Sequence, residues 1–215
     1  ARRNLAGIGV APSSGMAFRR PKLIRYAVVG LGHIAQNAVL PAFRNARRNS
    51  RLTALVSDDP KKPRTLARKY GVKQTYAYDD FEACLRNVDA VYIALPNSMH
   101  AEYTIRAANA GVHVLCEKPM AVTVEECEQM IDACRQHRVK LMIAYRLHFE
   151  EINLKAVELV RRGRIGEPRF FNSSFSMTVR ANDIRAKRST GGGTLYDIGV
   201  YCINAARYLF RADPL

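Results

Sequence analysis

The residues best able to do chemistry in this chain stand where short apolar runs stop. The run from Leu23 to Val29 breaks into Gly30-Leu31-Gly32-His33-Ile34-Ala35, a Gly-x-Gly-x-x-Ala turn, and a helix-like segment follows at once. Gly30 permits a sharp turn, Gly32 admits close approach by a ligand, and Ala35 lets the helix pack against the strand. Main-chain N–H groups and the positive end of the helix then converge on one point, which suits a phosphate. Later runs end at Ser57, at Leu95-Pro96-Asn97, at Glu117-Lys118 and at Tyr145-Arg146. After Ser57 come Asp58 and then Lys61, Lys62 and Arg64. A carboxylate at that point would hold a ribose 2′-hydroxyl, whereas cations would hold a 2′-phosphate. Near the end of the chain, Asp197 and Tyr201 are four residues apart, so they share one helix face and can address one ligand.

The elements that must position these groups follow from periodicity. Residues 23–29, 51–57, 75–77, 89–95, 112–116 and 140–144 read as strands, most of them continuously apolar. Helices are expected over 34–47 (with Pro41 kinking or restarting it), 61–70, 81–86, 100–110 and 123–138. Asp58 or Asp59 can cap the second helix, Pro60 suits its first turn and Gly71 ends it. Thr123 with Glu126 forms a capping-box pattern. Strands alternating with helices predict an α/β fold, a doubly wound parallel sheet covered on both faces. Such sheets bind ligands beyond the carboxyl ends of their strands. Gly30 to Ile34, Ser57, Pro96-Asn97, Glu117-Lys118 and Tyr145-Arg146 all fall there.

After residue 146 the pattern changes. A helix is expected over 149–162. Residues 169–179 then alternate, with Phe171, Phe175, Met177 and Val179 opposite Asn172, Ser174, Ser176 and Thr178. That period fits a half-exposed antiparallel strand. A Gly191-Gly192-Gly193 run leads into a helix over 194–208. One strand cannot form a sheet alone, so a second α+β domain with an open, mainly antiparallel sheet is expected to begin here and to be incomplete. The expected divisions are a basic leader at 1–22, a nucleotide domain at 23–146 and a partial second domain at 147–215.

Bulk properties narrow the class. The chain has 215 residues, a hydrophobic share of 48% and a formal net charge of +15. Residues 1–25 hold Arg2, Arg3, Arg19, Arg20, Lys22 and Arg25 and no acid, so much of the excess charge sits in one aperiodic segment. No basic stripe with interleaved aromatics accompanies it, which argues against a nucleic-acid partner. No apolar run nears the roughly 20 residues of a membrane span, and no membrane partner is expected. The five cysteines are scattered without a C-x-x-C pair, so they read as reduced core thiols, and no metal site is expected. The reading is cytoplasmic, or periplasmic if the Arg-Arg near the start belongs to a twin-arginine export signal.

Taken together, Gly30-x-Gly32-x-x-Ala35, Leu95-Pro96-Asn97-Ser98-x-His100, Cys116-Glu117-Lys118-Pro119-Met120 and Asp197-Ile198-Gly199-Val200-Tyr201 resemble a known set. They resemble the glucose–fructose oxidoreductase, inositol dehydrogenase and MocA-type family of NAD(P)-dependent sugar oxidoreductases, closest to its glucose–fructose oxidoreductase branch. The resemblance runs from about Arg25 to the last residue and implies a Rossmann sheet, hydride exchange with a sugar or polyol, and a homo-oligomer. It implies that Lys118 contacts the reacting hydroxyl, that Tyr201 is the acid/base group and that Asp197 orients the substrate. Many relatives carry His where this chain has Tyr201. An unperturbed tyrosine titrates near pH 10, and a neighbouring ammonium is expected to favour its phenolate. The resemblance also implies cofactor contacts from Gly30, Leu31, Gly32, His33, Ile34, Leu95, Pro96, Asn97, His100, Glu117, Lys118 and Arg146. Ser57 with Lys62 resembles the branch that takes NADP, which is favoured over NAD, while Asp58 keeps NAD open. Pro119 restricts Lys118 to extended backbone angles, and the Lys118-Pro119 bond is cis or trans. Residues 1–22 read either as an arm that wraps a neighbouring subunit or as an export or expression remnant. The alternative function is a nucleotide-binding regulatory or truncated protein of the same fold without turnover.

Overall fold

Six short strands lie side by side in the computed structural model, which describes residues 23–180 and 183–213. They are β1 (Ile24–Val29), β2 (Ser50–Val56), β3 (Gln74–Tyr76), β4 (Ala90–Ile93), β5 (His113–Cys116) and β6 (Leu141–Ile143). The order across the sheet is β3-β2-β1-β4-β5-β6 and every pairing is parallel. Parallel neighbours need crossovers, and helices supply them: α1 (Leu40–Ala42), α2 (Lys62–Tyr70), α3 (Phe81–Leu85), α4 (His100–Asn109) and α5 (Val124–Gln136). The chain winds outward from β1 to one edge, returns, and winds to the other from β4. The direction reverses between β1 and β4, and this is where open α/β sheets place ligands.

Both faces are covered, which is why the strands read as continuous apolar runs. Ala27 and Val29 face one core with Val56, Phe81, Val91 and Ile93, while Val28 faces the other with Leu31, Leu40, Leu55 and Leu66. Alternate residues of one strand thus feed opposite cores. Register then sets the site. Val29 pairs with Val56 and Ile93, Ile93 with Cys116, and Cys116 with Ile143. The next residue of each strand therefore falls in one layer: Gly30, Ser57, Ala94, Glu117 and Ala144. Main-chain bonds hold that layer, including Gly30 N–H to Val56 C=O at 2.9 Å, Ala94 to Val29 at 2.7 Å and Glu117 to Ile93 at 2.9 Å.

Local signals behave as the sequence suggests at several ends. Asp59 accepts the N–H groups of Lys61 and Lys62, and Gly71 closes α2 in the left-handed region at φ 68°. Pro63, rather than Pro60, sits in the first turn of α2. The Thr123 hydroxyl accepts the Glu126 N–H at 3.1 Å, and the Glu126 carboxylate reaches back to Val122 N–H at 3.0 Å.

Three expectations are corrected. The helix expected over 34–47 is a π-type turn, Ala35–Val39, joined to the short α1, and it ends at Ala42. Pro41 lacks an N–H and restarts the helix, while Leu40 N–H reaches back five residues to Ala35 C=O. The helix expected over 194–208 likewise begins as a π-type turn, Leu195–Gly199, before α7 (Val200–Phe210). The alternating stretch 169–179 has no regular secondary structure and pairs with no strand among the described residues, and Phe175, Met177 and Val179 stay exposed. A strand is held by its neighbour's N–H and C=O groups, and none lies beside this one. Before it runs α6 (Glu151–Arg161), as expected to within two residues. The basic leader 1–22 lies outside the described residues.

Candidate functional site

The glycine turn is shaped by contact as well as by conformation. Gly30 sits at φ +89°, and a Cβ there would lie 2.6 Å from the Ala94 carbonyl oxygen. Glycine is required twice over. At Gly32 the opposite holds, since a Cβ would meet nothing within 4 Å. The turn that follows starts without a side-chain cap. An uncapped helix start behind an open glycine suits a pyrophosphate. Leu31 is buried and offers its main chain, Ile34 is half-buried, and His33 is exposed.

At the end of β2, Ser57 Oγ accepts the Asp59 N–H at 3.2 Å. Asp58 turns away, accepting the Tyr78 N–H at 2.7 Å. Lys62 ion-pairs with Asp59 at 2.9 Å. Lys62 and its backbone N–H hold the Asp59 carboxyl down at about 2. The expected phosphate-holding cation is therefore present but shared with a carboxylate.

Lys118 is the centre of the other half. It follows β5, and the Lys118-Pro119 peptide is cis. Its ammonium donates to Asp197 Oδ1 at 2.9 Å and also to the Asp197 carbonyl. The same nitrogen lies 5.1 Å from the centroid of the Tyr201 ring, within cation–π range. Lys118 and Asp197 are each about 15% exposed, at 14% and 15%. Tyr201 is half-buried, and the rings of Phe175 and Tyr145 stand edge-on to it at 5.7 and 6.3 Å. The π-type turn between Asp197 and Tyr201 does not part them, and both face Lys118.

Two expectations about ionisation and contact change here. Burial, followed by the charge of Glu117, pushes the Tyr201 phenol up, not down. The Lys118 ammonium meets the ring face and is already paired to Asp197. His100, expected at the cofactor, is 0% exposed. Its Nδ1 lies 2.8 Å from the Pro119 carbonyl oxygen and its Nε2 3.0 Å from that of Leu95. The ring clamps the two chain segments that end β4 and β5 and presents no face to the crevice. Burial lowers its tendency to protonate.

The remaining residues form the walls. Glu117 accepts the Tyr92 hydroxyl at 2.7 Å. Asn97 donates its amide to the Gly191 carbonyl at 2.8 Å, tying the end of β4 to the glycine run. Pro96 and Leu95 supply the bend before it. Arg146 ion-pairs with Glu150, and its charge draws Tyr201 downward. Sequence reasoning missed Arg185, which bonds Asp197 Oδ2 at 3.1 Å, and Tyr92. Tyr92 lies within a strand and Arg185 in an aperiodic stretch, so neither gave a periodic or motif signal.

A doubly wound parallel sheet with a glycine turn after its first strand defines a Rossmann-type α/β domain. Residues 24–145 match the oxidoreductase family with an NAD-binding Rossmann fold, and residues 153–215 match the GFO/IDH/MocA C-terminal domain. The chain belongs to the GFO/IDH/MocA oxidoreductase family. It is 35% identical over 201 residues to the NADP-dependent D-xylose 1-dehydrogenase of Haloarcula marismortui, covering 89% of this chain and 56% of that protein. It is 36% identical to the dTDP-3,4-didehydro-2,6-dideoxy-α-D-glucose 3-reductase of Streptomyces violaceoruber, covering 89% and 56%. Among solved structures, the aldose-aldose oxidoreductase of Caulobacter crescentus with glycerol superposes with a TM-score of 0.82 at 42% identity, covering 90% of this chain and 59% of that one. A 3-ketoreductase of Actinomadura kijaniata with NADP and TDP-benzene gives 0.80 at 34%, covering 87% and 57%. The chain thus spans less than three-fifths of the length of these relatives. Among the described residues no helix is long and apolar enough to cross a membrane.

Proposed function

We propose that the chain carries the nucleotide site and the proton-handling groups of an NADP-dependent oxidoreductase acting on a CH–OH group of an aldose or related sugar. The observation that carries this reading is the Lys118 ammonium, held between Asp197 and the Tyr201 ring in the layer where the strands end. When bound, the nicotinamide exchanges a hydride with the sugar carbon. The uncapped turn at Gly30–Ile34 holds the pyrophosphate, and Pro96, Asn97, Glu117 and Arg146 line the nicotinamide end. NADP is preferred because Asp58 is committed to Tyr78 and Lys62 stands at the ribose end, and because relatives of this chain are named for NADP. Residues 23–146 form the nucleotide domain and 147–215 belong to the substrate domain.

Tyr201 holds the proton that the sugar oxygen gains in reduction and loses in oxidation. Burial keeps the phenol protonated at neutral pH, which poises it as a donor to a carbonyl oxygen. Lys118 steadies that oxygen and Asp197 aims Lys118. The five cysteines are free thiols, which supports a reducing compartment, and we place the reaction in the cytoplasm.

The test is turnover of NADP with an aldose panel, followed by NADPH absorbance in the intact protein. Lys118→Ala and Tyr201→Phe are each expected to lower kcat by about 10²–10⁴-fold while NADPH affinity stays within a few-fold. Near-normal turnover in both variants rejects the reading.

A further inference from the structure

Asp197 has one carboxylate and two cations. Lys118 takes Oδ1 at 2.9 Å and Arg185 takes Oδ2 at 3.1 Å. Arg185 is not loosely placed. Its own N–H bonds Asp183 Oδ1 at 3.0 Å, and its guanidinium lies 3.3 Å from Asp183 Oδ2. Its carbonyl stands where a Cβ on Gly192 would come within 2.5 Å, so the glycine run packs directly against it. That run is fastened to the end of β4 through the bond from Asn97 to the Gly191 carbonyl. Thr190 Oγ1 closes the same loop on the Ile184 carbonyl at 2.6 Å.

The arrangement answers a question of charge. If Lys118 is to reach a substrate oxygen, it must loosen its bonds to Asp197. A carboxylate this enclosed, 15% exposed, is costly to leave without a cation. A single lysine in the pair would be held fast by that cost. A second cation on the other oxygen lowers it, because Asp197 keeps a charged partner, shared with Asp183, whichever way Lys118 points.

We propose that Arg185 is a positioning residue that keeps Asp197 paired while Lys118 turns to the substrate. The proposal rests on the role given above to Lys118. Arg185 touches neither nucleotide nor reacting atoms in this account and acts only through Asp197. The loop geometry fixes its guanidinium, so its partner is Asp197 with and without ligand.

The test compares Arg185→Ala with Arg185→Lys in the intact protein, using NADP with D-xylose and D-glucose as probes. Arg185→Ala is expected to lower kcat by about tenfold or more while KM for NADP stays within about twofold, and Arg185→Lys to recover most of the loss. A loss that falls on KM for NADP, or one that lysine does not relieve, overturns the proposal and leaves Arg185 as a loop anchor. A second measurement needs no turnover: reductive methylation of Lys118 at fixed pH, read by peptide mass spectrometry. Without Arg185 the lysine is gripped by Asp197 alone, so its labelling rate should fall by about tenfold, and an unchanged rate also overturns the proposal. If Lys118→Ala keeps full turnover, the proposed function fails by itself, and the labelling comparison still decides the role of Arg185.

Discussion

Replacing His100 by alanine separates two roles that the sequence left merged. The ring is fully buried, with its two nitrogens 3.0 and 2.8 Å from the carbonyls of Leu95 and Pro119, and as a neutral ring it donates its one N–H to one of them. Alanine would strip those partners from the two segments that form the crevice and leave a cavity the size of an imidazole. A lost buried bond with an orphaned carbonyl costs about 1–3 kcal/mol, and the cavity adds to it, giving about 3–5 kcal/mol in total. Urea unfolding followed by circular dichroism measures this directly, and Asn, which keeps one donor near the same place, should recover about half. The pH dependence carries a second signature. Burial lowers the His100 pKa below its ordinary 6.5, so the unfolded chain binds this proton first. Stability from this group is full above 6.5 and falls as pH drops from there to the lower folded value, and the variant should lose that slope. A loss of less than about 1 kcal/mol, with NADPH affinity reduced instead, would show the ring at the cofactor and refute the clamp.

The two glycines of the turn should respond in opposite ways. Gly30→Ala forces a side chain into φ +89° and against the Ala94 carbonyl, and should destabilise the fold by about 3 kcal/mol or more in urea titration. Gly32→Ala meets no protein atom within 4 Å, so stability should change by less than about 1 kcal/mol while NADPH affinity falls. Asp59→Asn should flatten the acid limb of stability. Its carboxyl is depressed from 3.8 to about 2, so its contribution is present above 3.8 and lost as pH falls toward 2. An acid limb unchanged in Asp59→Asn would remove Asp59 from that account.

Much of the fold was legible because its signals are local. The runs that end at Gly30, Ser57, Pro96, Glu117 and Tyr145 each became a strand of the parallel sheet. The caps at Thr123 and the left-handed Gly71 depend only on near neighbours and came out as read. Errors arose where a local rule met a missing partner or a missing donor. Residues 169–179 alternate like a strand, but a strand exists only beside another. Pro41 marked a break correctly, yet the wide turn before it depends on packing of Ala35 and Leu40 into the core.

The candidate site divides the same way. The sequence determined which residue types end each strand, and hence that Gly30, Ser57, Asn97 and Lys118 would stand along one edge of the sheet, because parallel register carries strand ends into one layer. It did not determine how they pair. His100 finds carbonyls 5 and 19 residues away, and Lys118 finds Asp197 across 79. Arg185 joins that pair from a stretch with no period at all. Those contacts are set by where crossovers and loops deliver the chain, and so is the burial that pushes the Tyr201 phenol up against the downward pull expected from the ammonium. Ionisation follows from surroundings, and surroundings exist only once the chain is folded.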